Sequence, residues 1–124
     1  MKNDEPLRVG IQQRVLPAYR GEFFDLLAEA YQGNVCVYSG QPRPDEALGE
    51  LANLKTAQQY PAENLHLGHG STYLCSQRNI IRWLKFWDPH VLIMEANPRY
   101  LKSNLAITWM QHRKRPVIAR LDFR

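Results

Sequence analysis

Apolar and polar positions change period several times along the chain. Residues 7–13 alternate after a charged tail, with Val9 and Ile11 on one side, which predicts a first strand. Residues 14–20 form a loop in which Pro17 bars an early helix. Over residues 21–32 the spacing turns helical through Phe23, Phe24, Leu27 and Tyr31, and Gly33 supplies a stop. Residues 34–39 are rich in β-formers and end at Gly40, a second strand. Residues 46–59 read as a helix on a thin stripe of Leu51, Leu54 and Ala57, ended by Pro61. Residues 65–67 follow as a short third strand and residues 68–71 as a tight turn.

The second half repeats the alternation of helix and strand. Residues 76–87 predict a helix with Ile80, Trp83, Leu84 and Trp87 on one stripe and Arg78, Arg82 and Lys85 on another. Asp88 and Pro89 close it. The apolar run Val91 to Met94 then reads as a fully buried strand, stopped by Asn97 and Pro98. Residues 100–113 form a further helix with Leu101, Leu105, Trp109 and His112 aligned, and residues 117–121 a last strand. Strands alternating with helices predict an α/β, Rossmann-like parallel sheet of about five strands with helices on both faces. Residues 1–124 are expected to be a single domain. The chain ends right after its fifth predicted strand, so the domain is expected to be incomplete at its C-terminus.

Composition narrows the class. The formal charge of +4 suits phosphate-bearing or anionic partners without demanding nucleic acid. Cys36 and Cys75 stand alone in apolar surroundings, which reads as buried reduced thiols and a cytoplasmic setting. No apolar run approaches the ~20 residues of a membrane helix. The expectation is a soluble or at most peripheral protein.

In open parallel sheets, ligands sit outside the carboxyl ends of the strands. Glu95, Asn97 and Arg99 fall at such an end. A carboxylate there can act as a base or accept sugar hydroxyls, and an arginine can clamp phosphate. The same residues are also explained by an Asn-Pro turn with solvated charges. Arg14, Tyr19 and Arg20 lie on the loop after the first strand, where helix N–H groups favour anions. Solvated arginines explain these as well. Neither a Gly-x-Gly-x-x-Gly nor a Walker sequence is present, so a dinucleotide or P-loop site is not supported. His66 and His69 are three apart but have no cysteine at zinc-ligand spacing, so no metal is expected; His69 remains a candidate pocket histidine. The Arg78, Arg82 and Lys85 face, beside Trp83, Phe86 and Trp87, fits contact with anionic membrane or a core helix with a solvated basic side. No nucleic-acid recognition motif accompanies it.

Three stretches together resemble the N-terminal domain of retaining GT-B glycosyltransferases of family four. Pro17, Tyr19 and Arg20 with Phe23, Phe24 and Leu27 are similar to that family's P-x-Y-R-x-x-F-F opening. Gln77, Ile80, Ile81 and Leu84 lead into Asp88, Pro89 and the Val91 strand. Glu95, Asn97, Pro98 and Arg99, followed by Ser103, resemble its strand-end motif. The resemblance spans Val9 to about Ala119. It implies a Rossmann-like half that holds the acceptor, while a C-terminal domain, absent here, holds the nucleotide-sugar donor. It implies sugar transfer to a polysaccharide or lipid-linked acceptor, with no cofactor or metal and with the isolated chain inactive. Glu95 is then the candidate catalytic residue, and Arg14, Tyr19, Arg20, Asn97, Arg99 and His69 the candidate binding residues. The charged ending after Ala119 departs from the family pattern, which has a glycine-bearing turn there. Two other readings stand beside it: a non-catalytic Rossmann-like binding module that needs a partner chain, and a flavodoxin-like regulatory domain. Against the latter, the first strand ends in Gln12, Gln13 and Arg14 rather than in acids.

Overall fold

The structure is a computed structural model that describes residues 7–46, 49–95 and 97–120. Five parallel strands form the main sheet: β1 Val9–Gln12, β2 Val35–Ser39, β3 Gln58–Pro61, β6 Val91–Glu95 and β7 Val117–Arg120, in the order β3-β2-β1-β6-β7. A separate antiparallel hairpin joins β4 Asn64–Leu67 to β5 Leu74–Gln77. The helices are α1 Gly21–Ala30, α2 Ile80–Trp87 and α3 Ser103–His112. No helix among the described residues is long and apolar enough to cross a membrane.

Strand alternation sends the core to two faces. Val9, Ile11, Val35 and Val37 meet Phe24 and Ala28 of α1 on one face. Cys36, Tyr38, Leu92 and Met94 meet α2 and α3 on the other. Trp83 is the centre of that second core. It stacks on Tyr38 at 4.7 Å and donates from Nε1 to Cys36 Sγ at 3.3 Å. Gly10 gives it room, since a Cβ there would stand 3.1 Å from the indole ring. Helices thus flank both faces, as the alternating pattern predicts, and β1 and β6 run side by side at the centre.

Four local expectations fail. Residues 49–57 are not helical; Leu51 bridges to Pro17, and the chain enters β3. The Asp25 carboxylate accepts the N–H groups of Lys55, Thr56 and Ala57, which a helix would need for itself. Residues 47 and 48 lie outside the described set. The third sheet strand is therefore β3, and residues 65–67 belong to the hairpin. The helix expected from residue 76 starts at Ile80, because residues 74–77 pair with β4. The buried stripes of α1 and α3 are also rotated. Phe24 and Ala28 are buried in α1, and Ala106 and Met110 in α3, whereas Phe23, Leu101 and Leu105 are exposed.

Candidate functional site

The carboxyl ends of β1 and β6 mark the point where the chain's progress across the sheet reverses, the place where parallel sheets put their ligands. Gln12, Gln13 and Arg14 leave β1 here, and Glu95 ends β6. The Arg14 backbone N–H donates to Glu95 Oε1 at 2.6 Å, and the Glu95 N–H donates to Gln12 Oε1 at 3.1 Å. Glu95 therefore clasps the two central strands.

The hairpin is fastened over the same strand ends by amides. Gln12 Nε2 donates to Gln77 Oε1 at 2.5 Å, and Gln77 Nε2 donates to Gln13 O and Asn64 Oδ1, both at 3.0 Å. Asn64 Nδ2 donates to Arg14 O at 2.7 Å. Gln12, Gln13 and Gln77 are buried, and these bonds offset the cost of taking them from water.

Arg14 sends its guanidinium under the hairpin, where both Nη atoms bond Glu46. Burial opposes the Arg14 charge, but the Glu46 hydrogen bond and neighbouring charges hold it above the usual arginine range. The same bond holds Glu46 below the carboxylate range against a smaller effect of burial. Tyr73 lies 3.5 Å from Arg14 Nη1 through its hydroxyl and 2.7 Å from His66 Nδ1, and Arg43 sits 4.5 Å over its ring. Burial raises Tyr73 to about 12; burial and the Glu95 charge raise Tyr100 to about 12. Both phenols stay protonated, able to donate.

Beside this cluster a cleft of about 380 Å³ opens between β6, β7 and the start of α3. Glu95, Asn97, Tyr100, Ser103 and Asn104 supply its polar lining, and Met94, Ile107 and Ala119 its apolar part. A carboxylate, a phenol, a hydroxyl and two amides beside a small apolar surface match what a polyhydroxylated ligand needs. Among the described residues no group of three or more His, Cys, Asp and Glu is arranged to hold a metal ion.

The seven residues singled out from sequence divide. Glu95 and Asn97 line the cleft, and Arg14 adjoins it through its backbone bond to Glu95. Asn97 also shapes the turn, accepting the Arg99 N–H at 2.9 Å. The Arg99 guanidinium instead donates to Ser71 O and Tyr73 O at 3.0 and 2.9 Å, pinning the hairpin. Arg20 reaches Gln13 Oε1 at 3.3 Å. Tyr19 is 73% exposed beneath the Arg20 cation, and His69 is exposed at the hairpin turn. The sequence reading missed Tyr100, Ser103 and Asn104 in the cleft and Glu46, His66 and Tyr73 beneath the hairpin. His66 could have been preferred to His69, because alternation in a strand directs it to the same side as Asn64. The basic face of α2 is partly answered: Arg78 and Arg82 lie 3.9 and 4.0 Å from Glu63. Both cysteines are free and buried; burial raises Cys36 to about 11. Comparison with family models, curated proteins and solved structures finds no match.

Proposed function

We propose that the chain is the acceptor-side half of a glycosyltransferase, one that transfers a sugar from a nucleotide-sugar donor to a polysaccharide or lipid-linked acceptor. The observation that carries this reading is the cleft at the end of β6, where Glu95 stands among Asn97, Tyr100, Ser103 and Asn104. A sugar hydroxyl that must become a nucleophile needs a nearby carboxylate and neutral groups to orient it. Glu95 supplies the first role and the raised Tyr100 phenol the second. The +4 charge suits a phosphate-linked acceptor and peripheral contact with an anionic membrane from the cytoplasmic side. The donor would be held by a second domain, so the 124-residue chain is expected to bind acceptor without turning over nucleotide sugar.

The test is binding of the chain to an oligosaccharide panel. Asn104→Ala and Ser103→Ala together are expected to weaken binding about tenfold with the fold intact, the size of one or two lost hydrogen bonds. Binding to no member of the panel, or robust nucleotide-sugar turnover by this chain alone, contradicts the reading.

A second reading is a non-catalytic binding module paired with a partner chain. The observation in its favour is that both arginines are spent on internal contacts, Arg14 with Glu46 and Arg99 with the carbonyls of the hairpin turn. It is distinguished by Glu95→Gln in an assembled, donor-competent complex. A catalytic Glu95 loses turnover by two or more orders of magnitude at unchanged acceptor affinity, whereas a module keeps it.

A further inference from the structure

Parallel sheets are stable when both faces are covered. The face bearing Leu92 and Met94 is covered by α2 and α3. On the other face, α1 and residues 49–57 cover β1 to β3, with Gly21 of α1 against Ala52 and Leu54. On that face the apolar cover thins out over β6 and β7. Ile93 is only partly buried, and its register partner Ile118 is 50% exposed. The bare strip is two strands wide, about 10 Å, and four to five residues long, about 16 Å.

The helix α1 has matching dimensions, about 10 Å across and 15 Å long for its 10 residues. Its apolar surface does not stop at the sheet. With 100° per residue, Phe23, Leu27 and Tyr31 fall on the flank opposite Asp25, whose caps fix the side of the 49–57 loop. Phe23 is 56% and Leu26 58% exposed. A helix that is apolar well beyond its sheet-facing stripe is ordinarily buried on a second side. One face of the molecule thus carries a ridge and, next to it, a groove of the same length and width.

We propose that a second copy of this chain covers the strip. In this two-fold dimer, α1 of each copy seats on β6 and β7 of the other. A two-fold axis parallel to the strands brings ridge to groove twice and closes the assembly. The charges agree with that occupant. The Asp25 flank of α1, beside the 49–57 loop, carries exposed Glu22 and Glu29, while exposed Lys114 precedes β7. Glu29 and Lys114 both lie at the amino ends of the strands, so the axis brings them to the same end of the interface. This goes beyond the glycosyl-transfer reading and does not rest on it.

Sedimentation equilibrium of the chain is expected to give twice its 14.5 kDa mass. Ile118→Glu, at an exposed position, is expected to give the single-chain mass with an unchanged far-ultraviolet circular dichroism spectrum. Glu29→Lys is expected to weaken the dimer roughly tenfold, and Lys114→Glu in that background to restore it. A single-chain mass at every concentration, a dimer that survives Ile118→Glu, or a failure of the charge exchange overturns the proposal.

Discussion

Glu46 shows how single side chains hold the strand ends. It accepts both Arg14 Nη atoms and the Arg43 N–H at 3.1 Å, and its carboxyl is held below its ordinary 4.5. A carboxyl with a depressed folded value stabilises the fold fully above its ordinary value, and that contribution is lost as pH falls through the folded value. Glu46→Gln is therefore expected to cost about 1–3 kcal/mol at neutral pH, as for a charged hydrogen bond removed beside a buried partner. The deficit relative to wild type is expected to shrink as pH falls from 4.5 towards the depressed folded value, because the unfolded chain takes up the Glu46 proton first. Urea denaturation at pH 7 and at pH 3 checks this; an equal deficit at both would contradict it. Asp88, paired with Arg8 and Arg115, is depressed in the same direction and leaves some acid sensitivity in the variant.

At the scale of elements, the tightest constraint is the contact of α2 with β1. Gly10→Ala would set a Cβ 3.1 Å from Trp83 and 3.2 Å from Pro89 Cβ. Neither neighbour is a flexible chain end, so a cost of about 1–3 kcal/mol is expected, the range for overpacking. Thermal unfolding measures it, and an unchanged midpoint would contradict the packing described for Trp83. The α2 stripe of Ile80, Trp83, Leu84 and Trp87 was legible because strongly amphipathic spacing has one solution. The apolar run of β6 was legible for a similar reason, since β1 and β7 flank it in the sheet. The segment 49–57 was not. Its shape is set by Asp25, some thirty residues away, which takes three of its N–H groups. The hairpin was half legible, with β4 seen as a strand but the last two residues of β5 read as the start of a helix. Residues 74–77 carry no alternation strong enough to outweigh the helical stripe that follows.

At the scale of the molecule, the parallel sheet brings its chemistry to one end, where β1, β6 and the start of α3 meet. Glu95 and Asn97 could be placed there from sequence because strand-end position is itself a signal. Tyr100, Ser103 and Asn104 could not, because their place depends on how tightly the chain turns at Asn97 before α3 begins. The internal partners of Arg99 could not be read from sequence, because they are carbonyls of a hairpin turn some thirty residues earlier. This cleft is the proposed acceptor site. The most direct measurement is a backbone-amide NMR titration of the chain with oligosaccharides. The expected result is shifts at the cleft residues between Met94 and Ile107 and at Ala119, with the titration midpoint moved about tenfold higher by Asn104→Ala combined with Ser103→Ala. Shifts confined to another surface, or none with any oligosaccharide, would contradict it.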